Sequence, residues 1–315
     1  MELLDIPVYV FTGFLESGKT FFIKKLLVNP VFATGDKTLL ILCENGIEEI
    51  DKELLRISNT NLVKVKKEEK LTEELFYRFN EKFQPERVLI EYNCMWNFNK
   101  IINLTLPDWW VIAQIGTIID ASTFSIYMNN IRSIMAEQFK KADFVVFNRC
   151  DKNTNKLALR GNVKAVNRKA QLIFELENGV IDTSEEKLPF DINASIIEVK
   201  EYDFGLWYTD MISAPDKYED KKIRLVGKVS YLKNCPKDFF VLGRDAMTCC
   251  ENDITFLGIA CRHISEVVIE CNEWIEVVGV IKINYIEKYE NKFPVIFIES
   301  FKRVNKPPEE LIYFS

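Results

Sequence analysis

Short apolar runs recur through the first part of the chain: VYVF at 8–11, TLLILCE at 38–44, VLIEY at 88–92, WVIAQIGTIID at 110–120, DFVVFN at 143–148 and AQLIFE at 170–175. Runs of this length, rich in β-branched residues, predict strands covered on both faces. Between them lie stretches such as KLTEELFYRFNEKF, whose apolar residues repeat at helical spacing. Strands alternating with helices predict an α/β unit built on a mostly parallel sheet, in which ligands sit at the carboxyl ends of strands. Glu44, Glu91, Asp120 and Asn148 fall at those ends.

Near residue 200 the pattern changes. KKIRLVGKVSYL, FFVLG at 239–243, ITFLGIAC at 254–261, WIEVVGVIKI at 274–283 and FPVIFIESFKRV at 293–304 read as strands separated by turns, with little helix. Five strands in about 100 residues predict a second, smaller all-β unit, a closed barrel of the OB kind. The boundary is placed at 195/196, so that 1–195 and 196–315 form the two domains. The aromatic segment DFGLWYTDMISAPDKYEDK is expected to pack between the two halves.

Composition narrows the classes. With 48% apolar and 28% charged residues the chain is globular throughout, and a net charge of −6 argues against a nucleic-acid backbone as the main partner. No leader pattern precedes the first strand, and no apolar run approaches the roughly 18 residues of a spanning helix, so a cytoplasmic, non-spanning protein is expected. In a reducing compartment the eight cysteines are then free thiols or metal ligands. The single histidine, His263, leaves little room for His-based acid–base chemistry.

The most specific signal is FTGFLESGKT at 11–20, a strand, a glycine-flanked loop and the start of a helix with GxxxxGK[ST] spacing. Gly13 and Gly18 allow the turn that aims backbone N–H groups at phosphate oxygens, and the helix adds its positive end. Gly13, Glu16, Ser17, Gly18, Lys19, Thr20 and Phe21 are the candidate phosphate-holding positions. Lys19 reaches the β- and γ-phosphates and the Thr20 hydroxyl ligates Mg²⁺. At the end of the DFVVFN strand stand Asn148 and Asp151, spaced to read guanine. A carboxylate at Asp151 accepts the N1–H and N2 amino protons that adenine lacks. Arg149 stands where a lysine stem would lie along the base, and its guanidinium can also stack on a ring.

This ordered set resembles the CobW-like P-loop GTPases, a metal-handling family. GFLESGKT, ILCENGIEEID, VLIEYN, TIIDAS, QFKKADFVVFNRCD and VKAVNRKAQLIF carry the resemblance, over about residues 5–180. It implies a Mg²⁺-dependent GTPase whose nucleotide state controls delivery of zinc or cobalt to a metalloprotein client, as a metallochaperone does. Lys19, Thr20 and Glu91 are then the catalytic set, with Thr20 and Glu91 on Mg²⁺. Glu44 on the switch stretch reads as a ligand of Mg²⁺, as a ligand of a transition metal, or as a solvated carboxylate. Asp120 reads either as a second acidic group near the phosphates or as an Asx turn before ASTF. Two departures stand out: the interval LLRISNTNLVKVKKEEKLTEELFYRF has no Cys-x-Cys-Cys, and Cys94 replaces the glycine after the Walker B carboxylate. Slow hydrolysis is expected.

The second half resembles the soluble C-terminal domain of YcgQ-like proteins, on WYTDM, APDKYEDKKIRLVGKV, the Arg244 to Asp253 block, WIEVVGVI and PPEELIYF. That implies a cysteine-containing site and a membrane permease as partner. Within the block Cys249 and Cys250 are candidate Zn²⁺ ligands, with Asp253, Cys261 and Cys235 able to complete a set. Against this, neighbouring residues on one strand point to opposite faces, and small cysteines also suit a barrel core. Two functional classes follow: a GTPase in metal trafficking or permease support, and a nucleotide-gated interaction module that moves no metal.

Overall fold

The computed structural model describes residues 5–44, 46–231, 236, 238–247, 254–262, 269–286, 291–312 and 314. The chain divides into two compact units, residues 1–154 with 167–183, and residues 155–166 with 184–315.

The first unit is a seven-stranded, wholly parallel sheet. Its strands are β1 (Ile6–Thr12), β2 (Thr38–Leu42), β3 (Thr60–Lys64), β4 (Arg87–Glu91), β5 (Trp110–Asp120), β6 (Phe144–Cys150) and β7 (Gln171–Leu176), in the order β3-β2-β4-β1-β5-β6-β7. Helices α1 (Lys19–Val28), α2 (Lys52–Ile57), α3 (Glu73–Phe83), α4 (Phe98–Asn103), α5 (Phe124–Asn130) and α6 (Arg132–Lys140) provide the crossovers. Every residue of β2 and β4 is buried, which is why those strands read as unbroken apolar runs. The edge strand β3 escapes the apolar pattern because its residues are mostly half-buried and include Asn61 and Lys64. Side-chain caps set three helix starts: Asp51 accepts from the Leu54 amide, Thr72 from the Leu75 amide and Asn97 from the Asn99 amide. The chain leaves β1 toward β2 on one side and returns to β5 on the other. The carboxyl end of β1 therefore lies at a switch point of the sheet.

The second unit holds α7 (Lys156–Val166), β8 (Ile197–Glu198), α8 (Phe204–Ser213), β9 (Lys222–Ser230), β10 (Phe239–Met247), β11 (Ile254–Arg262), β12 (Trp274–Ile286), β13 (Asn291–Arg303) and β14 (Leu311–Ile312). Strands β9, β10, β11, β13 and β12 pair in that order and β12 returns to β9, closing a five-stranded barrel in which only β11–β13 is parallel. Inward and outward residues alternate strictly along β9. Gly243 makes the close packing possible, because a Cβ there would lie 2.2 Å from the Leu257 carbonyl oxygen. The segment expected to pack between the two halves forms α8, whose residues from Phe204 to Met211 are all buried. Phe204, Trp207 and Met211 share one apolar cluster with Phe240, Leu242 and Ile275 of the barrel. A helix buried on all sides belongs in a core. Among the described residues no helix is long and apolar enough to cross a membrane.

Candidate functional site

The loop after β1 is shaped by two glycines. Gly13 has φ 139° and Gly18 φ 95°, and a Cβ on Gly13 would lie 2.1 Å from the Ile118 carbonyl oxygen. Gly18 is the N-cap of α1, so the loop delivers the chain into a helix whose first amides have no partner of their own. Lys19 is buried and donates to the Gly13 and Phe14 carbonyls, both at 2.8 Å, while its ammonium lies 2.6 Å from a Glu44 oxygen. The Thr20 hydroxyl stands 3.0 and 3.2 Å from the two carboxylate oxygens of Glu91, at the end of β4. Burial raises the Glu91 carboxyl above the usual range, against the opposing pull of Lys19 and of the Thr20 hydrogen bond. A hydroxyl and a carboxylate in contact form a hard-oxygen pair of the type Mg²⁺ takes. A cleft of about 260 Å³ opens here, with Gly18, Lys19, Thr20, Glu44 and Glu91 among its walls. Phe21 is turned outward, half exposed beneath the Lys25 ammonium.

At the end of β6, Asn148 is buried and donates from Nδ2 to the Ser17 carbonyl at 2.7 Å, fastening this strand to the loop. The Asn148 Oδ1 and the Ser17 Oγ are both buried without a hydrogen-bond partner. Unpaired buried oxygens are costly unless a ligand or water meets them. Arg149, at φ 53°, donates to the Glu16 carbonyl at 3.2 Å and also pairs with Asp120. Asp120 makes the Asx turn as well, accepting from the Ser122 amide at 2.9 Å and its hydroxyl at 2.6 Å. Partial burial pushes the Asp120 carboxyl up, but the Ser122 and Arg149 contacts outweigh it and hold the group below its ordinary value. Asp151 is exposed, and its carboxylate takes the Thr154 hydroxyl at 3.0 Å and the Asn153 amide at 2.9 Å, which hold it low.

Gln138 on α6 is a residue the sequence reading passed over. Its Oε1 accepts from the Thr12 hydroxyl at 2.6 Å and its Nε2 donates to the Cys94 carbonyl at 3.4 Å, while its own carbonyl takes the Thr117 hydroxyl at 2.7 Å. The side chain thus links the last residue of β1 to the turn after the Walker B carboxylate. The available signal was a polar residue on the buried face shared with Met135 and Phe139. Cys94 does not adopt a left-handed backbone, so a residue with a side chain is at ease there. Burial pushes its thiol up to about 11.

The candidate zinc ligands Cys249 and Cys250, with Asp253, Cys235 and His263, lie outside the described residues. Cys261 is described: it is fully buried in the barrel core, and desolvation raises its thiol far above the usual value. Among the described residues no three His, Cys, Asp or Glu side chains gather as a metal site would require.

Residues 7–174 match the CobW/HypB/UreG nucleotide-binding domain, and residues 178–314 match the DUF1980 C-terminal domain. No curated protein matches the chain. Among solved structures, the zinc-bound YjiA GTPase of E. coli shares 19% identity over 72% of this chain and 74% of its own, with TM-score 0.42. The hydrogenase maturation factor HypB of Archaeoglobus fulgidus shares 17% identity over 55% of this chain and 82% of its own, with TM-score 0.38. A small single-stranded DNA-binding protein of Streptomyces coelicolor shares 15% identity over 27% of this chain and 94% of its own, with TM-score 0.21.

Proposed function

The chain belongs to the CobW/HypB/UreG nucleotide-binding family and continues into a DUF1980 C-terminal domain, and on that footing we propose that it is a slow Mg²⁺-dependent GTPase serving metal trafficking or a metal-related permease. The observation that carries the reading is the meeting of Lys19, Thr20 and Glu91 in one cleft, with Asn148 fastened to the same loop. Thr20 and Glu91 would hold a Mg²⁺ ion, which would supply positive charge against the β- and γ-phosphates. Lys19 gives up its loop carbonyls and Glu44 for phosphate oxygens. Glu44, released from that ion pair, carries the change into the ENGIEEID stretch. Asn148 and Asp151 select the guanine ring, and Arg149 holds the loop beneath it through the Glu16 carbonyl. The barrel's strand order supports an OB-type domain, and its described cations are largely paired with carboxylates, as in Lys228–Asp245 and Arg262–Asp238. That is not the exposed basic surface a nucleic-acid backbone needs.

Calorimetric titration of the full chain tests the reading. Mg²⁺-GDP is expected to bind at least tenfold tighter than Mg²⁺-ADP, and Lys19→Ala to weaken GDP by about a hundredfold, or about 2.7 kcal/mol. Equal binding of ADP, or an unaffected Lys19→Ala, overturns it. Zinc titrated into the GDP form and into a form holding a slowly hydrolysed GTP analogue then separates the two classes. One tight site that changes affinity with nucleotide and is lost in Cys249→Ser/Cys250→Ser supports metal delivery. No tight site in either form supports a nucleotide-gated interaction module, the reading favoured by the missing Cys-x-Cys-Cys.

A further inference from the structure

One side chain of the phosphate loop has no part in the scheme above, that of Glu16. Glu16 sits at φ 62°, in the left-handed region that suits glycine, between Gly13 and Gly18, which also have positive φ. A residue with a Cβ is strained there and stays only where its surroundings enforce it. The loop does so: Arg149 grips the Glu16 carbonyl at 3.2 Å, and the Ser17 amide closes a turn onto the Phe14 carbonyl at 3.1 Å. The Glu16 side chain is exposed and lines both the phosphate cleft and a neighbouring cleft of about 370 Å³ on the Tyr127 flank of the loop. The other acids of the phosphate cleft are engaged, Glu44 by Lys19 at 2.6 Å, Glu48 by Lys24 at 2.8 Å and Glu91 by Thr20 at 3.0 Å. Among the described residues no cation pairs with the Glu16 carboxylate.

A phosphate loop works by converging N–H dipoles on anionic oxygens. A carboxylate carried on the same loop opposes every phosphate that enters. We propose that Glu16 sets the residence time of the nucleotide, its charge repelling the bound phosphates so that diphosphate leaves without help from a partner. This rests on the GTPase reading above and adds the residue that regulates occupancy of that site.

The test uses the full chain and Mg²⁺-GDP carrying a fluorescent label on the ribose. Glu16→Gln removes the charge and keeps a side chain at the strained backbone, whereas Glu16→Gly removes both. Glu16→Gln is expected to slow GDP release and tighten GDP binding about tenfold, and Glu16→Gly at least as much. The advantage of Glu16→Gln over the natural residue should shrink as salt rises from about 0.02 M to about 0.5 M, because screening weakens the repulsion. If Glu16→Gln releases GDP within twofold of the natural protein, the carboxylate does not set residence and the inference fails alone. If Glu16→Gln binds GDP more weakly, Glu16 is an attractive contact, through a cation, and the inference is again overturned. If neither the natural protein nor either variant binds guanine nucleotide, the GTPase reading falls and this inference with it.

Discussion

Around its phosphate loop the first unit buries Thr12, Lys19, Thr20, Glu91, Gln138 and Asn148, of which Thr12, Glu91 and Asn148 lie at or near the carboxyl ends of strands, while the second buries Lys156, Asn162, Asp203, Thr209, Asp210 and Arg244. In the second unit the bonds of these groups end on the fold itself. Asp210 takes the Tyr218 hydroxyl at 2.7 Å and the Lys217 ammonium at 3.0 Å, and Arg244 holds the Glu201 carbonyl at 2.7 Å together with that of Glu309. In the first unit the partners are exchangeable: Lys19 rests on two loop carbonyls and Glu44, and Thr20 on Glu91, all of which a phosphate or a cation can replace. Buried polarity marks a site where its bonds can be traded for a ligand's, and marks a clasp where they cannot.

Substituting one buried polar residue in each unit sharpens that contrast. Arg244→Ala removes two charge-assisted hydrogen bonds to carbonyls and the packing over Trp274. It is expected to cost about 3 kcal/mol in chemical denaturation while leaving GDP affinity within twofold. A large loss of affinity would show that Arg244 is no mere clasp. Gln138→Leu should do the reverse, lowering the turnover of GTP about tenfold, or about 1.4 kcal/mol, with GDP affinity little changed, because the Thr12 and Cys94 contacts position the turn that follows Glu91. Gln138→Glu keeps the acceptor for Thr12 and should recover part of the rate. Parallel losses in GDP affinity and melting temperature would reduce Gln138 to a structural role.

The cysteines give the smallest effect and cut across both units. Burial, with Glu91 and Glu44 nearby, pushes the Cys43 thiol up to about 12, and burial brings Cys94 to about 11, whereas Cys271 is exposed. An unfolded thiol titrates near about 8.5. The fold therefore favours the protonated form, and that stabilisation is fully present below the unfolded value and is lost as pH rises toward 11 and 12. Among the described cysteines, alkylation at about pH 8, mapped by mass spectrometry, should mark Cys271 first and Cys43, Cys94 and Cys261 at least tenfold more slowly. Early labelling of Cys94 would mean that the Walker B turn opens in solution.

How much was legible in advance follows from the range over which each feature is encoded. The apolar runs of β2 and β4 and the glycines of the phosphate loop are written into a few consecutive residues, so strand, loop and helix could be read directly. Asn148 and Asp151 were visible as spacing at a strand end, and Asp120 as an Asx turn. Edge strand β3 was not, because an edge needs no continuous apolar run. Helix α7 begins five residues after Asp151, yet it belongs to the second unit, where Asn162 donates to the Phe314 carbonyl at 2.6 Å. A reading along the chain has no means of showing such an excursion.

By itself the sequence determined the parallel sheet, the phosphate loop with Lys19 and Thr20, and the small second unit of strands, since each follows from periodicity, turn chemistry or motif spacing acting over a handful of neighbours. Only the tertiary structure decided that the barrel closes, that α8 shares its apolar cluster, that Arg149 joins Glu16 to Asp120, and that Gln138 meets Thr12 across 126 positions. Those contacts depend on which strands lie side by side, and the free energy that selects the arrangement comes from burying whole faces together, a quantity no short stretch of chain contains.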